Sequence, residues 1–407
     1  MASGQSERSK NTSVDQDGSF VVRVYDAHCH PTDIMTSIDN IPGLRAAGLT
    51  VMSTRMEDQS LVEETARKYG GDLAINGQGG GRAVPAFGFH PWFSHLIVDD
   101  IEGQVNTDED MKKRKIEHYT SVLQPTPKYD ESDEDREFID TLPEPFSLSQ
   151  IISDMRERLS KFPAALIGEV GLDKSFRLPK PWPKDAKKDD PSDIHGHLTP
   201  GTREGRPLSP FRVRMAHQKR ILETQLRLAG EMNRAASVHS VGSHGAVLDV
   251  LTTLWKGWEK PVLSKRQKKK EAENAHAAGE EERSDDAQKK PDLPRPFPPR
   301  VCMHSYSGPP EQLSQFYQPS VPLDFYFSFS TYVNFEGKDQ TQSKKVAEVI
   351  QAVPDDRILA ESDLHCAGEL MDDALEKAAK QICQIRGWTL EDGTKRLNDN
   401  WRKFIYG

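Results

Sequence analysis

VVRVYDAHCH, residues 21–30, is an apolar, β-branched run that ends in two histidines one residue apart. β-Branched and aromatic residues of this kind suit a strand. On an extended chain successive side chains alternate, so His28 and His30 project from one face and can chelate one divalent ion. An HxH pair alone also occurs as an ordinary polar feature, so its meaning depends on whether the chain repeats the arrangement. It does. Seven further apolar runs follow, at 49–54 (LTVMST), 84–90 (VPAFGFH), 164–171 (AALIGEVG), 235–240 (AASVHS), 300–307 (RVCMHSYS), 323–330 (LDFYFSFS) and 357–363 (RILAESD). Segments with helical potential lie between them, among them Gln59–Tyr69, Met215–Asn233 and Lys344–Ala352, and Met371–Arg386 follows the eighth. Alternating strands and helices predict an α/β chain with a parallel sheet, and eight units predict a closed (β/α)8 TIM barrel.

Composition sets the bounds. The chain has 407 residues, with 54 Lys+Arg against 63 Asp+Glu and a net charge of −9. That balance argues against a basic nucleic-acid coat, although metal ions can supply local positive charge for gripping phosphates. Only 35% of residues are hydrophobic while 29% are charged, so part of the length is expected to be solvated insertion. None of Cys29, Cys302, Cys366 and Cys383 forms a CxxC, which disfavours a zinc ribbon or thioredoxin-type site. The start is polar, without the apolar stretch of a signal peptide, and no run of 18 apolar residues offers a membrane span. A cytoplasmic or nuclear location, with the cysteines as thiols, is the expectation.

Residues 1–19 read as a disordered lead-in before a hydrolase barrel over 20–407. Three polar, charge-blocked or Pro-rich stretches interrupt the barrel at about 99–147, 174–210 and 256–299. They contain DEDMKKRKIE, LPKPWPKDAKKDDP and KRQKKKEAEN respectively, and read as surface insertions or disordered loops. The basic run KRQKKK at 265–270 is a solvated segment or a nuclear-import or nucleic-acid patch. The inserts after Asp173 and after the fifth strand are both expected on the mouth side, where they could cover or narrow an active site.

The strand ends carry the chemistry, because in such a barrel they face the active-site mouth. His28 and His30 end the first strand. Glu169, in the fourth, can bridge two cations held roughly 3.5–4 Å apart. His239 and His304 end the fifth and sixth. Asp363 ends the eighth, placed to bind metal and to take a proton from water that a metal has acidified. Four imidazoles and two carboxylates suit one or two divalent ions such as Zn or Mn, with Mg usable where carboxylates and water dominate. His118, His195, His197, His217, His244 and His276 fall in helices or inserts and are set aside.

These pieces together resemble the TatD-like metal-dependent deoxyribonucleases of the amidohydrolase superfamily. The matching motifs are DAHCHPTD (26–33), GFHPW (88–92), IGEVGLD (167–173), VHS (238–240), MHSYSG (303–308), ESD (361–363) and NDNWRKF (398–404). The resemblance implies a (β/α)8 barrel, a one- or two-metal centre and hydrolysis of DNA phosphodiester bonds. It implies that His28, His30, Glu169 and Asp363 hold one metal, that Glu169 bridges, and that His239 and His304 hold the second. Glu169 and Asp363 are the catalytic candidates. His90 and Trp92 of GFHPW, Ser305, Glu361 and His365 are the candidates for substrate contact. Two departures stand out: ETD reads ESD, and Leu364-His365-Cys366 replaces the small residue and proline usual after Asp363. The long inserts resemble a fungal subgroup described as interactors of a cell-cycle ubiquitin-ligase subunit. Three functions follow as expectations: a DNase, a non-nuclease amidohydrolase-type hydrolase, or a barrel scaffold binding protein partners through its inserts.

Overall fold

In the computed structural model all eight apolar runs form strands of one parallel sheet. Residues 21–73, 81–101, 111–181, 206–262 and 294–407 are described; the lead-in 1–19 and the run 265–270 lie outside them. The strands are β1 (Tyr25–Cys29), β2 (Gly48–Met52), β3 (Ala83–Phe87), β4 (Leu166–Asp173), β5 (Ala236–Val241), β6 (Arg300–Met303), β7 (Asp324–Ser330) and β8 (Ile358–Glu361). They pair in sequence order, each parallel to the next. Past the strand ends the circle is drawn together by backbone bonds, Asp363 N to His28 O at 3.0 Å and His30 N to Leu364 O at 2.8 Å. The strands are buried almost throughout, as a barrel jacketed by helices requires.

The jacket comprises α1 (Gln59–Tyr69), α2 (Met111–Val122), α3 (Asp133–Thr141), α4 (Leu148–Lys161), α5 (Met215–Glu231), α6 (His244–Trp255), α7 (Pro310–Phe316), α8 (Gln340–Ala352), α9 (Glu369–Arg386) and α10 (Leu390–Tyr406). Two 3-10 turns, Pro31–Asp33 and Met35–Gly43, stand between β1 and β2 where an α-helix is usual. Helix α10 closes the floor: the indole of Trp401 stacks on Tyr25 at the start of β1, and Arg300 at the start of β6 donates to the Phe404 carbonyl. No described helix is long and apolar enough to cross a membrane.

Two expectations about the inserts change. Much of 99–147 is folded, and it folds together with the described ends of the second insert. Tyr119, Val122, Phe138, Ile139, Leu178 and Phe211 are buried in a satellite core, and Leu123 pairs antiparallel with Val213. The charge density of α2 and α3 hides this, because each short helix needs few apolar side chains to cover one face. Ser132 caps α3, and acidic residues fill its first turn, where the helix dipole favours them. The third insert does not leave from the mouth. Helix α6 first carries the chain back to the strand starts, so 256–299 departs from the floor. There Trp258 meets Phe297, and Lys260 N bonds to Ser320 O.

Candidate metal centre

Glu169 organises the mouth. Its strand approaches its neighbours so closely that side chains are excluded around it. A Cβ on Gly88 would lie 2.8 Å from the Gly168 carbonyl carbon, and one on Gly171 would lie 2.1 Å from the His239 carbonyl oxygen. This explains the glycines flanking Glu169 and opening GFHPW. The carboxylate is buried and its two oxygens face different imidazoles. Oε2 lies 3.4 Å from His28 Nε2 and 3.3 Å from His30 Nε2. Oε1 lies 2.9 Å from His304 Nε2, 3.0 Å from His239 Nδ1 and 3.2 Å from His90 Nε2. Asp363 Oδ1 stands 3.5 Å from His30 Nε2 and 3.8 Å from His28 Nε2. All six candidate ligands named from the sequence therefore converge.

The other edge of most rings is held from behind. His28 Nδ1 is 2.8 Å from Ser237 Oγ. His239 Nε2 is 3.3 Å from Asp173 Oδ2, so Nδ1 is the nitrogen turned to the centre. His304 Nδ1 faces Glu361 Oε1 at 3.5 Å, too long for a strong hydrogen bond, and Ser305 donates to that same oxygen. Such outer partners fix the tautomer and aim of a ligating imidazole. His90 differs. Its Nδ1 accepts the Trp92 backbone N–H at 3.2 Å, so its Nε2 carries the hydrogen and donates to Glu169. Although His90 lies within ligand distance of Glu169 and His239, its lone pair is already taken.

Charge follows from the same contacts. Burial alone would raise the Glu169 carboxyl, but His90, His304 and His28 outweigh it and hold it well below the usual range. Burial likewise opposes ionisation of Asp363, and His30, His304 and His28 reverse the effect. His30 would be depressed by burial, yet Asp363 and Glu169 push it up to about 10. His28, at the most buried position, is lowered.

This donor set fits a divalent cation. His28 Nε2 and His30 Nε2 sit 3.1 Å apart, and the His28 and His304 rings stack at 3.9 Å. Imidazole nitrogens gathered this closely offer lone pairs that a divalent cation binds in place of protons. Among the described residues the potential ligand groups are His28–His30–Glu169, His28–His304–Asp363 and His90–Glu169–His239. Beneath the centre Asp26 Oδ1 accepts N–H groups of both His28 and Ser362, tying β1 to β8. Burial pushes that carboxyl up to about 7.

The cleft above encloses about 320 Å³. Trp92, Phe93, Val241 and Val333 form its apolar walls, and no Lys or Arg is among its described lining residues. His90, Trp92, Ser305 and His365 line it as expected of substrate-contact candidates. Glu361 does not. It is fully buried below His304 and is not among the residues lining the cleft. Asp173 and Asp33 were not singled out in the sequence. Asp173 ends β4 and was open to the same strand-end rule, whereas Asp33 had no signal beyond its motif. His118, His217 and His244 lie outside the cleft, and His195, His197 and His276 lie outside the described residues.

A family model described as TatD related DNase matches residues 25–406. The Cut9-interacting protein scn1 of Schizosaccharomyces pombe is 36% identical over 382 residues, covering 94% of this chain and 98% of the relative. A Saccharomyces cerevisiae protein named as an uncharacterized deoxyribonuclease is 25% identical over 401 residues, covering 94% and 99%. A solved TatD homolog from Escherichia coli aligns over 95% of this chain and 100% of its own, at 15% identity and a TM-score of 0.47.

Proposed function

This chain belongs to the TatD related DNase family, and from that premise we propose that it is a metal-dependent phosphodiesterase acting on DNA. The observation that carries the proposal is the Glu169 carboxylate, whose two oxygens face two different sets of imidazoles. His28, His30 and Asp363 would hold one divalent cation on the Oε2 side, and His239 and His304 a second on the Oε1 side. Zn, Mn or Mg bound there would neutralise phosphate charge and make water more acidic. The protein's own groups do the rest. Asp363, kept ionised by its imidazole neighbours, takes the proton of the attacking water at a carboxylate oxygen. His90 steadies the bridge through its Nε2–H. Trp92 and Phe93 shield the cleft from bulk water on one side.

A second reading, hydrolysis of a neutral ester or amide, is favoured by the lack of Lys or Arg among the described cleft-lining residues. The name of the Schizosaccharomyces pombe relative also supports a protein-binding role alongside catalysis, for which 256–299 is the candidate segment.

Metal content of the isolated protein, followed by turnover of DNA oligonucleotides and of a panel of amides and lactones, separates the readings. Asp363→Asn is expected to abolish oligonucleotide cleavage with the fold intact by circular dichroism. Full cleavage in that variant would remove Asp363 from its role, and turnover of the amides alone would select the second reading.

A further inference from the structure

The second insert runs against the charge of the rest of the chain. Residues 174–214 hold 10 Lys or Arg against 5 Asp or Glu, in a chain whose net charge is −9. The described ends, 174–181 and 206–214, carry six of those cations and no carboxylate. These ends meet as an antiparallel ribbon. Leu178 N donates to Phe211 O at 2.9 Å, Ser209 N to Leu178 O at 2.8 Å and Lys180 N to Pro207 O at 2.8 Å. Leu178, Phe211 and Val213 turn inward and are buried in the satellite core. Lys174, Lys180 and Arg212 are exposed. Arg177 is half-buried and donates to the Ser209 carbonyl at 2.9 Å. Among the described residues no carboxylate forms an ion pair with any of these four cations.

The ribbon begins at the cleft. Lys174 N donates to the carbonyl of Val241, a cleft wall, at 3.1 Å. Two residues on, the Phe176 ring stacks on the indole of Trp92, another wall, with centroids 4.9 Å apart and planes 17° from parallel. The cleft has no Lys or Arg among its described lining residues. A strand longer than the cleft carries a further charge at every linkage, and those charges need partners outside it. Beyond the aromatic rim formed by Trp92 and Phe176, the ribbon supplies them. Aromatic rings followed by unpaired cations suit a single strand, with bases on the rings and phosphates on the cations. Resting on the DNA reading above, we infer that the ribbon is an extended subsite for the phosphates of a single strand beyond the scissile linkage. Lys174, Arg177, Lys180 and Arg212 are its phosphate contacts, and Trp92 with Phe176 is its stacking step. An acidic protein segment would match the charge, but it would use neither the rings nor the continuity with the cleft.

The test measures equilibrium binding of a phosphorothioate dinucleotide and a phosphorothioate dodecanucleotide, both single-stranded, over a range of salt. Cleavage of the same strands with ordinary linkages tests the DNA reading itself. The wild-type protein should bind the dodecanucleotide more tightly and with the steeper salt dependence. Lys174→Gln, Lys180→Gln and Arg212→Gln are combined in one variant, since all three side chains are exposed; circular dichroism and metal content check its fold. In it the dodecanucleotide slope of log affinity against log salt should fall by about 2, because each phosphate contact to a single strand contributes about 0.7. Phe176→Leu should weaken the dodecanucleotide without changing that slope, because stacking releases no counterions. Lys377→Gln, Lys395→Gln and Lys403→Gln, an equal charge change on α9 and α10, should leave the slope as in the wild type. A dodecanucleotide bound no better than the dinucleotide, an unchanged slope in the ribbon variant, or an equal fall in the control overturns the inference and leaves the DNA reading standing. So does a polyglutamate peptide that displaces the dodecanucleotide as well as an unlabelled dodecanucleotide does, which would make the ribbon a docking surface for acidic protein. Failure to bind or cleave any oligonucleotide overturns both.

Discussion

Asp173 illustrates how much of this site lies one residue behind the ligands. It accepts from the Trp92 indole N–H at 2.7 Å and from the Ser175 and Phe176 backbone N–H groups, while facing His239 Nε2. Burial would raise its carboxyl, but His239 and these donors hold it low. It thus stays an acceptor for the His239 Nε2–H and leaves Nδ1 as the nitrogen turned to the centre. Removing the charge should free the ring to turn. Asp173→Asn is expected to weaken cation binding on the His239 side by about 10–100-fold, the usual cost of losing an outer partner, with the His28–His30 side unaffected. Calorimetric metal titration reads this directly. Two equivalents bound as tightly as in the wild type would show that Asp173 does not orient the ligand.

The 3-10 turn Pro91–Leu96, which follows His90 and carries Trp92, is braced at the scale of elements. His118 on α2 donates Nε2–H to the His95 carbonyl, and His217 on α5 donates to the Ser94 carbonyl, each at 2.8 Å. The satellite formed by the first two inserts therefore grips the wall of the cleft. Burial keeps these histidines neutral, pushing His118 down to about 4 and His95 to about 3. The unfolded chain takes up these protons near pH 6.5, whereas the folded one refuses them until about 4 and about 3. Their contribution is therefore complete above pH 6.5 and is lost as the pH falls below it, by about 1.4 kcal/mol per pH unit for each histidine. His118→Gln keeps an N–H donor but does not titrate. Urea unfolding between pH 6.5 and pH 4 should show a slope shallower by one proton in that variant. An unchanged slope would mean that His118 is already protonated in the folded protein.

At the scale of the molecule the barrel separates two ends. Catalytic candidates gather at the strand C-termini, and the described flanks of the third insert sit at the opposite end, by Gly230 of α5 and Ser320. Deleting 263–293 should leave metal stoichiometry and turnover within about two-fold of wild type, since the described residues on either side, Lys260 and Phe297, lie at the floor and away from the cleft. Any protein partner held by this segment should be lost in a pulldown with the same variant. A collapse of turnover would show that the floor and the mouth are coupled.

The sequence by itself determined the period of strands and helices, the barrel and the six candidate side chains at the strand ends. Each of these is local: an apolar run makes a strand, and its end faces the mouth whatever surrounds it. Helix α1 spans the same residues as its sequence reading, and the others drift by a few residues because caps and packing set helix ends. Tertiary structure alone decided which oxygen of Glu169 faces which imidazole, that Glu361 lies beneath His304, that Asp33 reaches His365, and that charged inserts far apart in sequence share a core. It also decided that residues 256–299 leave by the floor. These outcomes depend on distances between segments that meet only when the barrel closes, and no spacing along a chain encodes a distance across a ring.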